Sequence, residues 1–108
     1  MRPGLILACL LGASALPADA QAAHYVVDIA DMAFGPAPAR LVVGDTIEWK
    51  NSDIFRHTAT ARDGQFDLDL RPGGRAAVTL SKAGAVQVYC RFHPNMTMRL
   101  MVVAMGKG

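Results

Sequence analysis

Three kinds of metal-ligating side chain lie close together near the end of the 108-residue chain. Residues 90–98 carry the thiol of Cys90, the imidazole of His93 and the thioethers of Met96 and Met98. A second imidazole, that of His57, comes much earlier in the chain. Thiolate and thioether are soft ligands, and imidazole accepts several transition metals. These residue types at this spacing indicate a transition-metal site.

The donor set of this site favours copper over zinc. Two imidazoles, one thiolate and a weak thioether form the ligand set of a trigonal type 1 copper site. Sulfur suits Cu(I) and imidazole serves both Cu(I) and Cu(II), so such a site reorganises little on electron transfer. Structural zinc requires four Cys or His ligands, and methionine is a poor zinc ligand. We therefore predict one copper ion per chain, held by His57, Cys90 and His93.

The sequence leaves two candidates for the weak axial ligand. On an extended strand, Met96 and Met98 share one face and their Cα atoms lie about 6.6 Å apart, so only one can take the axial position. Pro94 and Asn95 suit the centre of a β-turn, which would bring residues 93 and 96 within roughly 7 Å of each other. This turn favours Met96, and Met98 remains the alternative axial ligand.

Residues 1–20 predict a secretory signal peptide. Arg2 supplies the positive charge, an apolar run follows, and Ala18-Asp19-Ala20 matches a cleavage site. We expect cleavage after Ala20, with Ala22 and Ala23 as alternative sites. The protein is then expected in the periplasm, with no membrane span in its mature form.

Removal of the signal leaves one mature domain, residues 21–108, with Cys90 as its single cysteine. An exported compartment is oxidising, and one thiol cannot form an internal disulfide. A metal-bound thiolate is therefore favoured over an inert thiol, since an unpaired exported thiol is prone to oxidation. Lipidation at Cys9 is a further alternative for the leader, because residues 6–9 resemble a lipobox.

The mature sequence predicts an all-β fold. Its segments are short, rich in β-branched residues and separated by Gly, Pro and Asp turn signals. About eight strands need two packed sheets or a flattened barrel to bury their apolar faces. The predicted strands are residues 25–29, 40–43, 46–50, 57–61, 66–70, 76–81, 85–90 and 97–104.

Three motifs of this sequence follow one known pattern. They are Val26-x-x-Ile29 with Met32-x-Phe34-x-Pro36, Trp49-x-Asn51-x-Asp53-x-x-x-His57-Thr58-Ala59, and Cys90-x-x-His93-Pro94-x-Met96. With them, residues 24–104 resemble a cupredoxin (plastocyanin-like) domain of the amicyanin and pseudoazurin type. The resemblance implies a Greek-key β-sandwich of about eight strands. It also implies one-electron transfer through type 1 copper.

The leading functional hypothesis is a periplasmic electron carrier that is not an enzyme. It would act as a monomer and bind redox proteins briefly: a c-type cytochrome, a dehydrogenase or a reductase. The alternative is a periplasmic copper-binding, copper-delivery or copper-resistance protein without redox turnover. A formal net charge of +2 gives no dense basic face for nucleic acid.

Several residues around the ligands have expected supporting roles. We expect the Thr58 hydroxyl to connect the two ligand loops, and Asn51 and Asp53 to shape the loop before His57. Related loops often carry proline where this chain has Phe92, so we expect its backbone N–H to point at the sulfur of Cys90.

The edge of the His93 ring is expected to reach solvent within an apolar patch. Such a patch suits the weak docking of transient redox partners. Basic residues at its rim would favour an acidic partner. The expected patch residues are Phe34, Pro36, Pro94 and Met96 or Met98, and the expected rim residues are Arg56, Arg91 and Arg99.

Overall fold

A computed structural model of the protein describes residues 22–105. The expected signal peptide, residues 1–20, lies outside the described residues. Within residues 22–105, no helix is long and apolar enough to cross a membrane. The described strands are β1 (His24–Ala30), β2 (Ala33–Phe34), β3 (Leu41–Val42), β4 (Thr46–Asn51), β5 (His57–Ala61), β6 (Asp67–Leu70), β7 (Arg75–Thr79), β8 (Gly84–Tyr89) and β9 (Thr97–Val103).

These strands form two sheets, with the strand orders β2-β1-β4-β7 and β3-β9-β8-β5-β6. The pairs β1–β4 and β3–β9 are parallel, and the remaining neighbours are antiparallel. The expected all-β sandwich is thus confirmed. The sequence prediction missed β2, a two-residue strand that pairs with the end of β1 across a two-residue turn.

The core lies between the two sheets and follows the period-two pattern of the strands. In β4, Ile47, Trp49 and Asn51 are buried while the residues between them are partly exposed. The Trp49 ring packs edge-on against Phe34, with ring centroids 5.8 Å apart, and lies 6.0 Å from the ring of Phe66. Phe34 and Trp49 belong to one sheet, and Phe66 directly precedes β6 of the other, so this aromatic cluster fills the space between the sheets.

The strand register brings three connections to one end of the sandwich. Because β1 and β4 are parallel with Ile29 opposite Asn51, the turn after β1 lies beside the loop after β4. That loop leads directly into β5 at His57. Strand β8 runs antiparallel to β5 and ends beside it, with Tyr89 opposite Thr60. The segments 31–32, 52–56 and 90–96 therefore meet.

Candidate metal centre

His57 is the first residue of β5 and its side chain is fully buried. The strand fixes its backbone, since His57 pairs with Leu70 of β6. The loop before it is organised by the buried side chain of Asn51. The Asn51 Nδ2 group donates to the carbonyls of Phe55 (2.8 Å) and Leu70 (2.9 Å), and Oδ1 accepts from the Asp53 N–H. The expected loop-shaping role of Asn51 is confirmed.

Cys90 and His93 lie on the connection between β8 and β9. Cys90 follows β8 directly and is fully buried, whereas His93 is half-buried. The N–H of Met96 donates to the carbonyl of His93 (2.8 Å), which closes the expected turn around Pro94 and Asn95. The carbonyl of Met96 in turn accepts from the Cys90 N–H (3.1 Å). The loop is thus held closed at its base.

The fold brings the donor atoms of His57, Cys90 and His93 into one small cluster. The Cys90 Sγ lies 3.8 Å from Nδ1 of His57 and 3.7 Å from Nδ1 of His93. All three donor atoms lie within 4.8 Å of one another. Two ligands in a trigonal plane around one ion, with bonds of about 2.0–2.3 Å, lie roughly 3.8 Å apart. The donor set fits a shared metal ion, and its two imidazoles and one thiol suggest copper.

Backbone and hydroxyl groups of β5 hold the sulfur and its loop in place. The N–H of Thr58 donates to Cys90 Sγ at 3.4 Å. The Thr58 hydroxyl accepts from the Arg91 N–H (2.9 Å) and bonds Oγ1 of Thr60 (2.8 Å). The expected connection between the two ligand loops is therefore confirmed. Among the hydrogen bonds of residues 22–105, the Phe92 N–H does not donate to this sulfur, contrary to expectation.

The second ring nitrogen of His57 contacts a carboxylate. His57 Nε2 lies 2.9 Å from Oδ2 of Asp53, whose side chain is only 8% exposed. This hydrogen bond, joined by one from the Met32 N–H, lowers the pKa of Asp53 from 3.8 to about 2. Asp53 therefore does more than shape its loop: it contacts the far edge of a candidate ligand.

The two candidate axial methionines occupy different places. Met96 is 6% exposed and lines the pocket at His93. Met98 is partly buried within β9, where it pairs with Val88 and packs against the hydrophobic core. The hydrogen bond that closes the turn at residues 93–96 joins Met96 to His93, whereas Met98 lies on β9.

A concave pocket of about 470 Å³ opens beside His93. Of the expected apolar patch, Pro94 and Met96 line this pocket. Phe34 instead packs inward against Trp49, and Pro36 is not part of the pocket lining. The side chain of Phe55 is exposed, and its ring centroid lies 6.4 Å from that of His93. The pocket is lined by Met32, Phe92, His93, Pro94, Asn95 and Met96.

The arginines near the pocket are paired, not free. Arg56 forms two hydrogen bonds with the carboxylate of Asp69, one from Nε at 2.9 Å. Arg91 Nε donates to Asp67 at 3.0 Å. Both guanidinium groups flank the ring of Phe92, at 5.1 and 5.5 Å from its centroid.

The expected basic rim is consequently only partly present. Two of its three arginines are balanced by aspartates, and Arg99 lies on β9, opposite Gln87. This arrangement weakens the sequence argument for an acidic partner.

Sequence reasoning missed two features of the site: the contact of Asp53 with His57 and the position of Met32 at the pocket. The contact from Asp53 to His57 spans four residues of an irregular loop, where spacing alone does not predict contact. Met32 lines the pocket because the register of β1 and β4 brings the β1–β2 turn to this end. The register itself is a long-range property that the local sequence does not carry.

Comparison with known proteins found structural neighbours, while no family model matches the sequence. A reduced Cu(I) form of a proline-to-glycine mutant of amicyanin is 29% identical, with a TM-score of 0.62 over 72% of this chain and 80% of that chain. An oxidised methionine-to-leucine mutant of amicyanin is 27% identical, with a TM-score of 0.63 over the same shares.

A reduced proline-to-phenylalanine mutant of amicyanin is 30% identical, with a TM-score of 0.61 over 72% of this chain and 80% of that chain. The chain thus resembles amicyanin in sequence and in fold, and it carries a His–Cys–His cluster at one end of the sandwich. The chain belongs to the cupredoxin family and is similar to amicyanin.

Proposed function

We propose that this protein is a periplasmic one-electron carrier with a mononuclear type 1 copper site. The observation that carries the proposal is the cluster of His57, Cys90 and His93, whose donor atoms lie within 4.8 Å of one another. Copper bound there would supply the Cu(I)/Cu(II) couple. The amicyanin-like neighbours support the same function.

The protein residues hold the site in one geometry and keep water from most of it. Cys90 and His57 are fully buried, and the Thr58 N–H is already aimed at the sulfur. Donors that are fixed before the metal binds change little between the two oxidation states. This property favours fast electron transfer over substrate binding, so we propose no enzymatic activity.

We propose Met96 as the weak axial ligand, with Met98 as the alternative. Met96 is buried and lines the same pocket as His93, and the hydrogen bond that closes its turn joins the two residues. Met98 is the second residue of β9 and lies opposite Val88 of β8. A thioether in the axial position binds weakly and tunes the potential.

Electrons would enter and leave through the half-buried His93. Its ring is the member of the cluster that borders the pocket, and the surrounding surface is largely apolar. Such a surface suits brief contact with a c-type cytochrome, a dehydrogenase or a reductase. We propose that the carrier is a monomer, exported by the leader at residues 1–20.

The test is to load the full mature chain with one equivalent of Cu(II). An electron carrier is expected to show intense visible absorption from thiolate-to-copper charge transfer, and a reversible one-electron wave in voltammetry. Metal analysis should give one copper per chain. A pale copper complex without a reversible wave would favour the delivery or resistance function instead, and failure to bind copper would refute both.

A further inference from the structure

Asp53 is a nearly buried carboxylate that does not belong to the cluster of candidate metal ligands. Its side chain is 8% exposed, and within residues 22–105 its ion-pair contact is with His57. It accepts three hydrogen bonds: Oδ2 accepts from His57 Nε2 and from the Met32 N–H, both at 2.9 Å, and Oδ1 accepts from the Ile54 N–H at 2.8 Å. An ionised carboxylate with these neighbours acts only as a hydrogen-bond acceptor.

We propose that Asp53 is a positioning residue that fixes the tautomer of His57 and lowers the reduction potential of the copper site. The inference rests on the proposed copper function. It concerns the second nitrogen of the buried imidazole, the one that faces away from Cys90.

The tautomer follows from the hydrogen-bond chemistry. The ionised Asp53 carboxylate has no proton to donate, so His57 Nε2 must carry the hydrogen at 2.9 Å. His57 Nδ1 then keeps its lone pair, and this is the atom that lies 3.8 Å from Cys90 Sγ. A carboxylate behind a metal-ligating histidine orients the ring and raises its basicity. The ring is thus prepared for a metal before one binds.

The effect on the potential follows from charge. Cu(II) carries one more positive charge than Cu(I), so a fixed anion nearby stabilises the oxidised form more. The anion acts through a fully buried imidazole, where the effective dielectric is lower than in water and charges interact more strongly. Because the oxidised form gains more, the reduction potential falls.

The β1–β2 turn keeps this charge in place. Asp31 and Met32 both have positive φ, 52° and 60°, as the two central residues of a tight hairpin turn. This conformation is unfavourable for Met32, whose amide donates to Asp53. The carboxylate is therefore held by the turn on one side and by its own loop on the other. It cannot rotate into solvent without breaking both contacts.

The first test compares reduction potentials of the copper-loaded full chain. Asp53→Asn keeps the size and one acceptor oxygen but removes the charge, and we expect it to raise the potential. The ratio of Cu(I) to Cu(II) affinity should increase about tenfold, which is about 59 mV for a one-electron couple. Asp53→Glu keeps the charge and should shift the potential less. Asp63→Asn, which removes one negative charge at the exposed β5–β6 turn, is the matched control and should leave it unchanged.

A second measurement needs no variant and no electron transfer. Nitrogen-15 NMR of the metal-free wild-type chain at about pH 8 should show His57 with its hydrogen on Nε2, exchanging slowly with solvent. If Asp53→Asn shifts the potential no more than Asp63→Asn, or if the hydrogen lies on Nδ1, the inference is overturned. The proposed function fails separately, when the wild-type protein gives no intensely coloured copper form; the NMR result still decides the role of Asp53 in that case.

Discussion

His57 and His93 present the same atom to the same thiol at nearly the same distance, 3.8 and 3.7 Å, yet their surroundings are opposite. His57 opens a strand, is fully buried, and has its second nitrogen bonded to Asp53. His93 lies on a turn, is half-buried, and borders an apolar pocket. The surroundings of His57 hold its ring in one geometry, whereas those of His93 leave its ring accessible from the pocket.

The contrast extends to the loops that carry them. The loop before His57 is held by polar groups, chiefly the three hydrogen bonds of Asn51 and those of Asp53. The surface around His93 offers mostly apolar side chains. Polar contacts have a strict geometry, and apolar contacts tolerate different partners. A single site can therefore combine a rigid interior with an adaptable exterior.

The largest expected effect comes from removing the atom that both histidines face. Cys90→Ser replaces the soft thiolate with a hard oxygen that matches Cu(I) poorly. We expect the intense visible absorption to disappear even if copper still binds, as judged by the absorption spectrum together with metal analysis. Tyr89→Phe, at the neighbouring residue, is the control and should keep the colour. An unchanged spectrum in Cys90→Ser would remove Cys90 from the ligand set.

The next effect distinguishes the two methionines. Met96→Leu should change the visible spectrum and the potential, because it removes the proposed axial thioether beside His93. Met98→Leu, a volume-conserving change in the core, should cost less than about 1.5 kcal/mol of unfolding free energy and leave the spectrum alone. Spectra, voltammetry and urea unfolding of both variants give the comparison. The reverse pattern would assign Met98 as the axial ligand.

The local sequence predicted two features of this arrangement, a strand and a turn. The strand at residues 57–61 was predicted with the bounds that the structure gives. The turn at residues 93–96 was also predicted, since proline and asparagine at its centre determine its shape. Both features depend on a few neighbouring residues.

What the sequence did not predict depends on contacts across the fold. Met32 reaches the pocket through the register of β1 with β4. Arg56 and Arg91, on two different loops, pair with Asp69 and Asp67 of β6. No local pattern marks such pairs. Features set by neighbouring residues were therefore easier to predict than contacts between distant parts of the chain, which decide the charge balance of the surface.

A smaller effect tests the connection between the rigid and the accessible halves. Thr58→Val keeps the shape of the side chain but removes the hydroxyl that accepts from the Arg91 N–H. Leaving that amide without its partner should cost about 1–3 kcal/mol of unfolding free energy. Urea unfolding of the metal-free protein measures it.

The control for this change is Thr79→Val, on the far sheet. Its hydroxyl pairs with that of Thr46 at an exposed position, so the loss should stay within about 0.5 kcal/mol. Equal losses in the two variants would show that the Thr58 hydroxyl contributes no more stability than an exposed pair of hydroxyl groups.

The smallest effect belongs to the exposed ion pairs that flank Phe92. Hydrogen bonds lower the pKa of Asp69, chiefly through Arg56, and that of Asp67, through Thr60 and then Arg91. A carboxyl whose folded pKa is lowered stabilises the fold above its ordinary value of 3.8, and this contribution is lost as the pH falls through the lowered folded value. A double-mutant cycle with Arg56→Gln and Asp69→Asn should therefore give a favourable coupling at about pH 6 and a weaker one at about pH 2. Because the Arg56 and Asp69 side chains are 53% and 42% exposed, salt should weaken the coupling at the higher pH.

Coupling that is the same at both pH values would contradict this account. It would mean that Arg56 and Asp69 act by packing on Phe92, so that the surface around His93 is shaped by van der Waals contact and not by charge.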